Sequence, residues 1–371
     1  MMDKSINIGR IYGIQISINY SWFIVFGLVA WSLSSGYFPA FYPEKSVISY
    51  WAMGIVSSLL LFLSVLLHEL SHTIVANKSG LRVNRISLFI FGGVAHLNEE
   101  PQNPYVELKV AIAGPICSVV LAGIFYLLES ISKGVTKAIF EYVAFINLML
   151  FGFNMIPGFP LDGGRILRAL WWMNSGNLRR ATEVSTSFGK GFAFLLIFYG
   201  FFLIISGNMI SGMWLIFIGF FLYNAAEAGL KHTLIRRALS GIKVSDIMTR
   251  DIIHVEEDLT IDRLVEDYFL KYRYVFFPVL RGNEVVGVIT IEDVRGIQKE
   301  FWPFKFIRDV MKPISADMIK SSKDEAVDVF EQMVAKNIGR FLVMENSQLI
   351  GIISRRDIMN LFKIKMDLGS D

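Results

Sequence analysis

The stretch SVISYWAMGIVSSLLLFLSVLLHELSH, residues 46–72, decides how this chain folds. It holds no charged residue before His68, and about 20 apolar residues are enough for a helix to cross a bilayer. Three ionisable residues, His68, Glu69 and His72, then follow within about one turn. Ionisable groups in a membrane helix are costly and usually serve function. The stretch predicts a membrane helix that carries a polar site; the alternative is a helix end that extends into the lipid headgroups.

The motif His68-Glu69-Leu70-Ser71-His72 has the spacing of a metal site. Residues four apart lie on one face of a helix, so both imidazoles can reach the same ion. Glu69 lies next to them and can take a proton from a metal-bound water. A catalytic zinc site usually has three protein ligands and one water, so a third ligand is expected elsewhere in the chain.

Asp162 is the candidate third ligand. It lies in NMIPGFPLDGGR, residues 154–165, where Pro157 and Pro160 end the preceding helix and two glycines permit a close approach of the backbone. Irregular backbone at membrane depth is tolerated where it is buried in protein or lines a wet cavity. We expect Asp162 to face the two histidines; the alternative is an exposed turn in which it caps the next helix, residues 163–172.

Composition narrows the class of protein. The chain has 371 residues, of which 53% are apolar and 19% are charged, whereas a soluble chain has about 25% charged residues. A net charge of +3 is too small to indicate a nucleic-acid partner. The single cysteine, Cys117, excludes a disulfide framework and a cysteine-rich zinc ribbon.

Runs without charged residues predict six membrane crossings. The first run begins with alternating residues at 14–18, which indicates a short strand before the helix. The last run is interrupted at residues 206–208 and is read as a helical hairpin. The charge-free runs are residues 11–43, 46–67, 110–128, 142–161 and 191–226.

The distribution of Lys and Arg predicts the orientation. With six crossings both termini lie on one side, and that side carries 14 of these residues near the membrane against 3 on the other. The positive-inside rule places both termini in the cytoplasm.

An internal repeat follows the membrane region. Residues 244–248 and 287–294 recur at 307–311 and 351–358, at offsets of 63 and 64. A fixed period indicates two copies of one unit, each read as helix, strand, turn, strand and helix. The predicted domains are a membrane domain over residues 1–239 and two α/β domains over 240–300 and 301–371.

With these features the chain resembles the site-2 protease family of intramembrane zinc metalloproteases, in the subgroup with paired cystathionine-β-synthase-type (CBS) domains. The resemblance covers nearly the whole chain. Its motifs are His68–His72, Phe91–Ala95, Ala113–Pro115, Asn154–Arg165 and the tandem repeat.

The resemblance implies one Zn²⁺ per chain, held by His68, His72 and Asp162, with Glu69 as the catalytic acid and base. Asn154 and Asn147 lie seven residues apart and are candidate donors to the developing oxyanion. For Asn147 a hydrogen bond between helices is an equal alternative.

Residues 84–90 and 94–97 predict a hairpin at the membrane surface. The resemblance implies a re-entrant sheet, which the strand at residues 14–18 can join, and its free edge could pair with an unwound substrate. A plain cytoplasmic hairpin is the alternative. His96 is read as groove surface, because a fourth ligand would close an open catalytic site.

The repeats resemble a CBS pair, in which the Thr290/Asp293 and Ser354/Asp357 signatures can hold the ribose of ATP, ADP or AMP. Many such pairs bind nothing and only dimerise. A homodimer through these domains is expected, and a ligand that favours one arrangement of the pair could bias access to the membrane site.

The function expected from these observations is a zinc-dependent intramembrane endopeptidase. It would cut transmembrane segments of single-pass membrane proteins near the cytoplasmic face of the plasma membrane, to release a fragment or clear a remnant. The alternatives are a membrane transporter or channel regulated by its CBS pair, or a catalytically inactive membrane scaffold.

Overall fold

The computed structural model describes residues 5–81, 83–89, 92–97, 101–346 and 348–368. These residues divide into two compact units, Met1–Lys231 and His232–Asp371.

Within the described residues, six helices are long and apolar enough to cross a membrane, which confirms the predicted number. The first span, Tyr20–Phe41, is composed of α1 (Tyr20–Ser32), a π-helical turn and α2 (Phe38–Phe41). The other five are α3 (Val47–Lys78), α4 (Pro104–Ile131), α5 (Gly134–Asn154), α7 (Leu178–Ile205) and α8 (Met209–Leu239). The protein is a polytopic α-helical membrane protein.

A short amphipathic helix, α6 (Asp162–Ser175), lies between the fourth and fifth spans. It packs against α4 and α7, and residues 155–161 connect it to α5 without regular structure. The prolines of that connection make the break that the sequence predicted.

A four-stranded sheet completes the membrane unit, in the order β1 (Ser5–Ile11), β2 (Ile14–Asn19), β3 (Val83–Phe89) and β4 (Gly92–Leu97). The predicted hairpin is the antiparallel β3–β4 pair, and β2 joins β3 in parallel. The sheet packs on α3 through buried apolar side chains, among them Ile14, Ile86 and Leu70. Strand β1 was not predicted: almost all its residues are exposed, so burial does not impose an alternating pattern on its sequence.

The second unit contains the predicted repeat. Its first half has α9 (Val244–Ile247), α10 (Ile261–Arg263) with a π-helical continuation, α11 (Ile291–Arg295), and a sheet in the order β5 (Val255–Glu256), β6 (Phe276–Arg281), β7 (Glu284–Thr290), β8 (Lys312–Pro313). Its second half has α12 (Ala326–Ala335), α13 (Arg355–Asp367), and a sheet in the order β11 (Gln348–Ser354), β10 (Arg340–Glu345), β9 (Ile319–Lys320).

Corresponding aromatic residues occupy the two apolar cores of this unit, Phe277 in one and Phe341 in the other. The end of α8 belongs here as well, because Leu239 is fully buried in the second core. The division between the units falls at residue 231, eight residues before the end of the membrane domain predicted over 1–239.

Candidate metal centre

Three side chains from two separate elements meet at one point inside the membrane unit. Asp162 Oδ2 lies 3.0 Å from His68 Nε2 and 3.2 Å from His72 Nε2, and the two Nε2 atoms lie 3.2 Å apart. The side chains are almost completely buried, with 12% of Asp162 exposed. Asp162 is the first residue of α6, and its carboxylate faces the imidazoles instead of capping the helix.

Hydrogen bonds at the Nδ1 atoms of the two histidines orient the rings so that the Nε2 atoms face Asp162. His72 Nδ1–H donates to the Val110 carbonyl at 2.6 Å, and a carbonyl can only accept. A neutral His72 therefore directs the lone pair of Nε2 at a carboxylate and at a second imidazole. Ser118 Oγ lies 2.9 Å from His68 Nδ1 and supports that ring from behind, as a hydroxyl that can accept or donate.

This donor set fits a zinc ion. Zinc binds His nitrogen at about 2.0–2.1 Å in tetrahedral geometry, so its ligand atoms should lie about 3.3 Å apart. The observed separations of 3.0–3.2 Å are close to that value. The Asp162 carboxylate and His72 Nε2 are both acceptors, so a cation between them would stabilise this arrangement. Three protein ligands leave the fourth position of a zinc ion open.

Backbone contacts at two glycines explain how Asp162 reaches its place. A side chain on Gly163 would overlap the carbonyl of Ile156, and one on Gly164 would overlap the backbone of Gly158. The start of α6 is therefore pressed against the irregular connection. Ser185 Oγ of α7 donates to the Gly164 carbonyl at 2.6 Å and holds this turn from the other side.

Helix α4 supplies no metal ligand but touches both imidazoles. Val110, Gly114 and Ser118 are spaced by four residues and share one face of the helix. A Cβ on Gly114 would lie 2.5 Å from His68 Nε2 and even closer to His72 Nε2. Sequence reasoning singled out only Gly114 of these, through the Ala113–Pro115 motif. The spacing of four was the signal that could have found Ser118.

Replacing Ser118 with alanine should lower zinc affinity by about 10- to 100-fold, because outer partners of a metal-bound histidine have effects of that size. Chelator competition on the purified protein measures the change. Ser130→Ala on the same helix is the control, since its hydroxyl donates to the Leu127 carbonyl within the helix. Equal zinc affinity in wild type and Ser118→Ala would contradict the orienting role.

Glu69 is covered by the edge strand of the sheet. A Cβ on Gly93 of β4 would lie 3.1 Å from Glu69 Cδ, so the strand backbone passes directly beside the carboxyl group. Among the described residues, β4 pairs only with β3, which leaves its outer edge free. The side chain of His96 on β4 lies outside the described part of the chain, and its place on the groove surface stays a prediction.

The two candidate oxyanion donors, Asn147 and Asn154, have different hydrogen-bond partners. Asn147 is buried, and its amide donates to Ser64 Oγ of α3 at 3.0 Å, which is the hydrogen bond between helices that was its alternative. Asn154 is the last residue of α5, and its amide donates to the Leu150 carbonyl at 3.0 Å. The amide nitrogen carries a second N–H, which remains as a donor for a substrate oxygen.

A buried ion pair links the two helices around the centre. Arg168 of α6 donates to Glu107 of α4 through Nε at 2.6 Å, and both side chains are at most 6% exposed. The guanidinium also lies 5.5 Å from the centre of the Phe159 ring in the connection. Sequence reasoning missed this pair because the partners are 61 residues apart. It fixes α6, which begins with Asp162, against α4, whose Val110 and Ser118 support the imidazoles.

Replacing Glu107 with glutamine should destabilise the membrane unit by about 3–5 kcal/mol, because it leaves the Arg168 charge buried without its counterion. Thermal unfolding of the detergent-purified protein measures the loss. The Lys190–Glu227 pair between α7 and α8 is partly exposed, so Glu227→Gln should cost much less. Similar losses in both variants would refute a special role for the buried pair.

The repeat residues lie at helix starts in the second unit. Asp293 and Asp357 each accept hydrogen bonds from the residue three positions earlier, Thr290 and Ser354. Partial burial raises the pKa of Asp293, but hydrogen bonds from Lys312 and Thr290 outweigh that effect and lower the pKa below its usual value. The Ser354/Asp357 pair borders a cavity of about 520 Å³.

Family models match both units of the chain. The model of peptidase family M50 matches residues 56–138 and 129–198, a region that includes His68, His72 and Asp162. The CBS domain model matches residues 244–300 and 307–364, the two copies of the repeat.

Two relatives match this chain over nearly its whole length. A zinc metalloprotease of Methanocaldococcus jannaschii is 34% identical, with 99% of each chain covered. A Synechocystis protein provisionally named as a zinc metalloprotease is 31% identical over 96% of this chain and 95% of its own. The solved site-2 protease from M. jannaschii is 32% identical and covers 60% of this chain and 94% of its own, with a TM-score of 0.43. The chain therefore belongs to peptidase family M50, the metalloprotease family of the site-2 proteases, and carries a tandem pair of CBS domains.

Proposed function

We propose that this protein is a zinc-dependent endopeptidase that cuts transmembrane segments of single-pass membrane proteins near the cytoplasmic face. The convergence of His68, His72 and Asp162 carries this proposal. Two of these residues lie on a membrane-length helix and the third follows another such helix, so the hydrolytic site is built from membrane segments. The product would be a released soluble fragment or a cleared membrane remnant.

Glu69 is assigned the proton transfers. When bound, zinc would lower the pKa of water and polarise the scissile carbonyl. The Glu69 carboxylate can accept the proton of the attacking water and later deliver it to the leaving amine. Val110 and Ser118 hold the imidazoles with both Nε2 atoms turned inward throughout these steps.

The free edge of β4 is assigned to substrate binding. A helical peptide bond is shielded by its own hydrogen bonds, so the substrate must present an extended segment. Such a segment can add to a free sheet edge through backbone hydrogen bonds. The contact of Gly93 with Glu69 supports this assignment, because a strand added to β4 lies next to the carboxylate. Asn154 is then the candidate donor to the oxyanion.

The proposed location is the plasma membrane, with both termini in the cytoplasm. The excess of Lys and Arg on the side of the termini supports this orientation. The CBS pair would then lie in the cytoplasm, where adenine nucleotides are available.

We assign the CBS pair to adenine-nucleotide binding and to a homodimer contact. The Ser354/Asp357 cavity supports the first assignment, since its volume lies within the range of small-molecule sites. A nucleotide that favours one arrangement of the pair would shift the population of protease states by its difference in affinity.

Metal analysis and cleavage in cells test the proposal together. We expect about one zinc per purified chain, lost in His68→Ala and in Asp162→Asn but kept in the control His254→Ala, whose residue is exposed in the second unit. Co-expression with a panel of single-pass membrane proteins should give shortened fragments only with zinc-binding forms. A protein that holds zinc and leaves the entire panel uncut would favour an inactive scaffold. A protein without stoichiometric zinc would refute the metal centre.

A further inference from the structure

The signature aspartates of the two CBS copies, Asp293 and Asp357, differ in their contacts. Asp357 Oδ2 accepts from Ser354 N and Oγ at 2.9 and 2.6 Å, and Asp293 Oδ2 accepts from Thr290 N and Oγ1 at 2.9 and 2.5 Å. These bonds are the same in both copies. The second carboxylate oxygen, Oδ1, distinguishes them.

In the first copy this oxygen is already occupied. Lys312 Nζ lies 2.7 Å from Asp293 Oδ1, and the Asp293 side chain is only 9% exposed. Strand pairing holds the lysine there, because Lys312 of β8 is the register partner of Val288, two residues before Thr290. The ammonium group therefore takes the position in which a ribose hydroxyl would have to bind.

In the second copy, no ion pair among the described residues occupies the corresponding position on Asp357. Thr249 is the counterpart of Lys312 at an offset of 63, and it bridges Ile352 as Lys312 bridges Val288. Its side chain is short and uncharged, and it lines the cavity of about 520 Å³ together with Ser354 and Asp357.

Charge separates the two copies further. Three arginines line the open cavity: Arg273, Arg340 and Arg356. A guanidinium binds phosphate oxygens through two parallel hydrogen bonds, so this lining suits several phosphate groups. At the offset of 64, Arg273 corresponds to Asn337 and Arg356 to Glu292, which would repel a phosphate.

From these contacts we infer that each chain binds one nucleotide, in the cavity at Ser354 and Asp357, and that this site selects nucleoside di- and triphosphates over monophosphates. Lys312 closes the Thr290/Asp293 half. This inference rests on the proposed nucleotide binding and specifies its stoichiometry and ligand class.

Equilibrium dialysis of the full-length protein in detergent, with labelled ATP, ADP and AMP, tests the inference. We expect one ATP per chain, lost in Asp357→Asn and kept in the matched variant Asp293→Asn. Arg356→Gln should weaken ATP by about 10- to 100-fold, because it removes charge-assisted hydrogen bonds, and should weaken AMP less. AMP bound more tightly than ATP would overturn the assigned ligand class.

A gain of binding provides the sharper test. Lys312→Thr combined with Glu292→Arg and Asn337→Arg copies Thr249, Arg356 and Arg273 of the open half into the closed one, and should raise the stoichiometry from one ATP per chain to two. Two bound nucleotides in the wild type, or loss of binding in Asp293→Asn, would refute the single-site inference alone. If neither the wild type nor the gain-of-binding variant bound any nucleotide, the proposed nucleotide function would be refuted as well.

Discussion

Gly114→Ala should severely weaken zinc binding and, with it, proteolysis. The added Cβ would lie 2.5 Å from His68 Nε2 and closer to His72 Nε2, so it would push on both ligand atoms. Neither ring can retreat easily, because Ser118 and the Val110 carbonyl hold the rings from behind. Overpacking costs about 1–3 kcal/mol or more, and the upper end of that range corresponds to a loss of zinc affinity of about 100-fold. Chelator competition and metal analysis of the purified variant measure the effect.

The same helix offers a matched control. Among the described residues, a Cβ placed on Gly123 of α4 would have no neighbour within 4 Å outside its own stretch of helix, so Gly123→Ala should keep full zinc affinity. Its helix should even gain about 1 kcal/mol from the better propensity of alanine. If Gly114→Ala bound zinc as tightly as Gly123→Ala, the imidazoles would not occupy the places described above.

Glu69→Gln should leave zinc in place and stop cleavage. Glutamine has the shape of glutamate but cannot carry the proton between water and the leaving amine. A positioned general acid or base contributes about 10²- to 10⁴-fold, and kcat should fall by at least that range. The rate of fragment formation from a co-purified substrate measures the loss, and metal analysis shows that the site remains loaded.

Glu129→Gln serves as the control for this variant. Glu129 lies near the far end of α4, where its only described ion pair is with Lys137 at 3.8 Å, and its replacement should leave kcat unchanged. Cleavage by Glu69→Gln at the wild-type rate would show that another group transfers the proton. Loss of zinc from Glu69→Gln would instead show that the carboxylate supports the metal centre.

The sequence predicts local features of this protein well. Absence of charge over residues 46–67 predicts a membrane helix, because charged side chains are costly in the bilayer. This prediction does not depend on how the rest of the chain folds. The spacing of His68 and His72 brings them to one helix face for the same local reason. The CBS repeat was also predictable, since each copy repeats its own pattern of strands and turns.

Contacts between distant segments were harder to predict. Asp162 was found because prolines and glycines mark its connection, and because two histidines left a zinc site incomplete. Glu107 and Arg168 carry no such mark, since single charged residues near membrane ends are usually solvated. Lys312 was missed because its effect depends on the strand register that brings it to Asp293.

The supports of the two imidazoles differ in their tolerance of mutation, because His72 is held by the main chain and His68 by a side chain. The acceptor is the carbonyl of residue 110, which every amino acid possesses, so no change of side chain there can remove it. At position 118 the hydrogen-bonding group belongs to the side chain itself, and most substitutions erase it. One imidazole is thus protected against point mutation in its supporting helix, while the other depends on a single hydroxyl group.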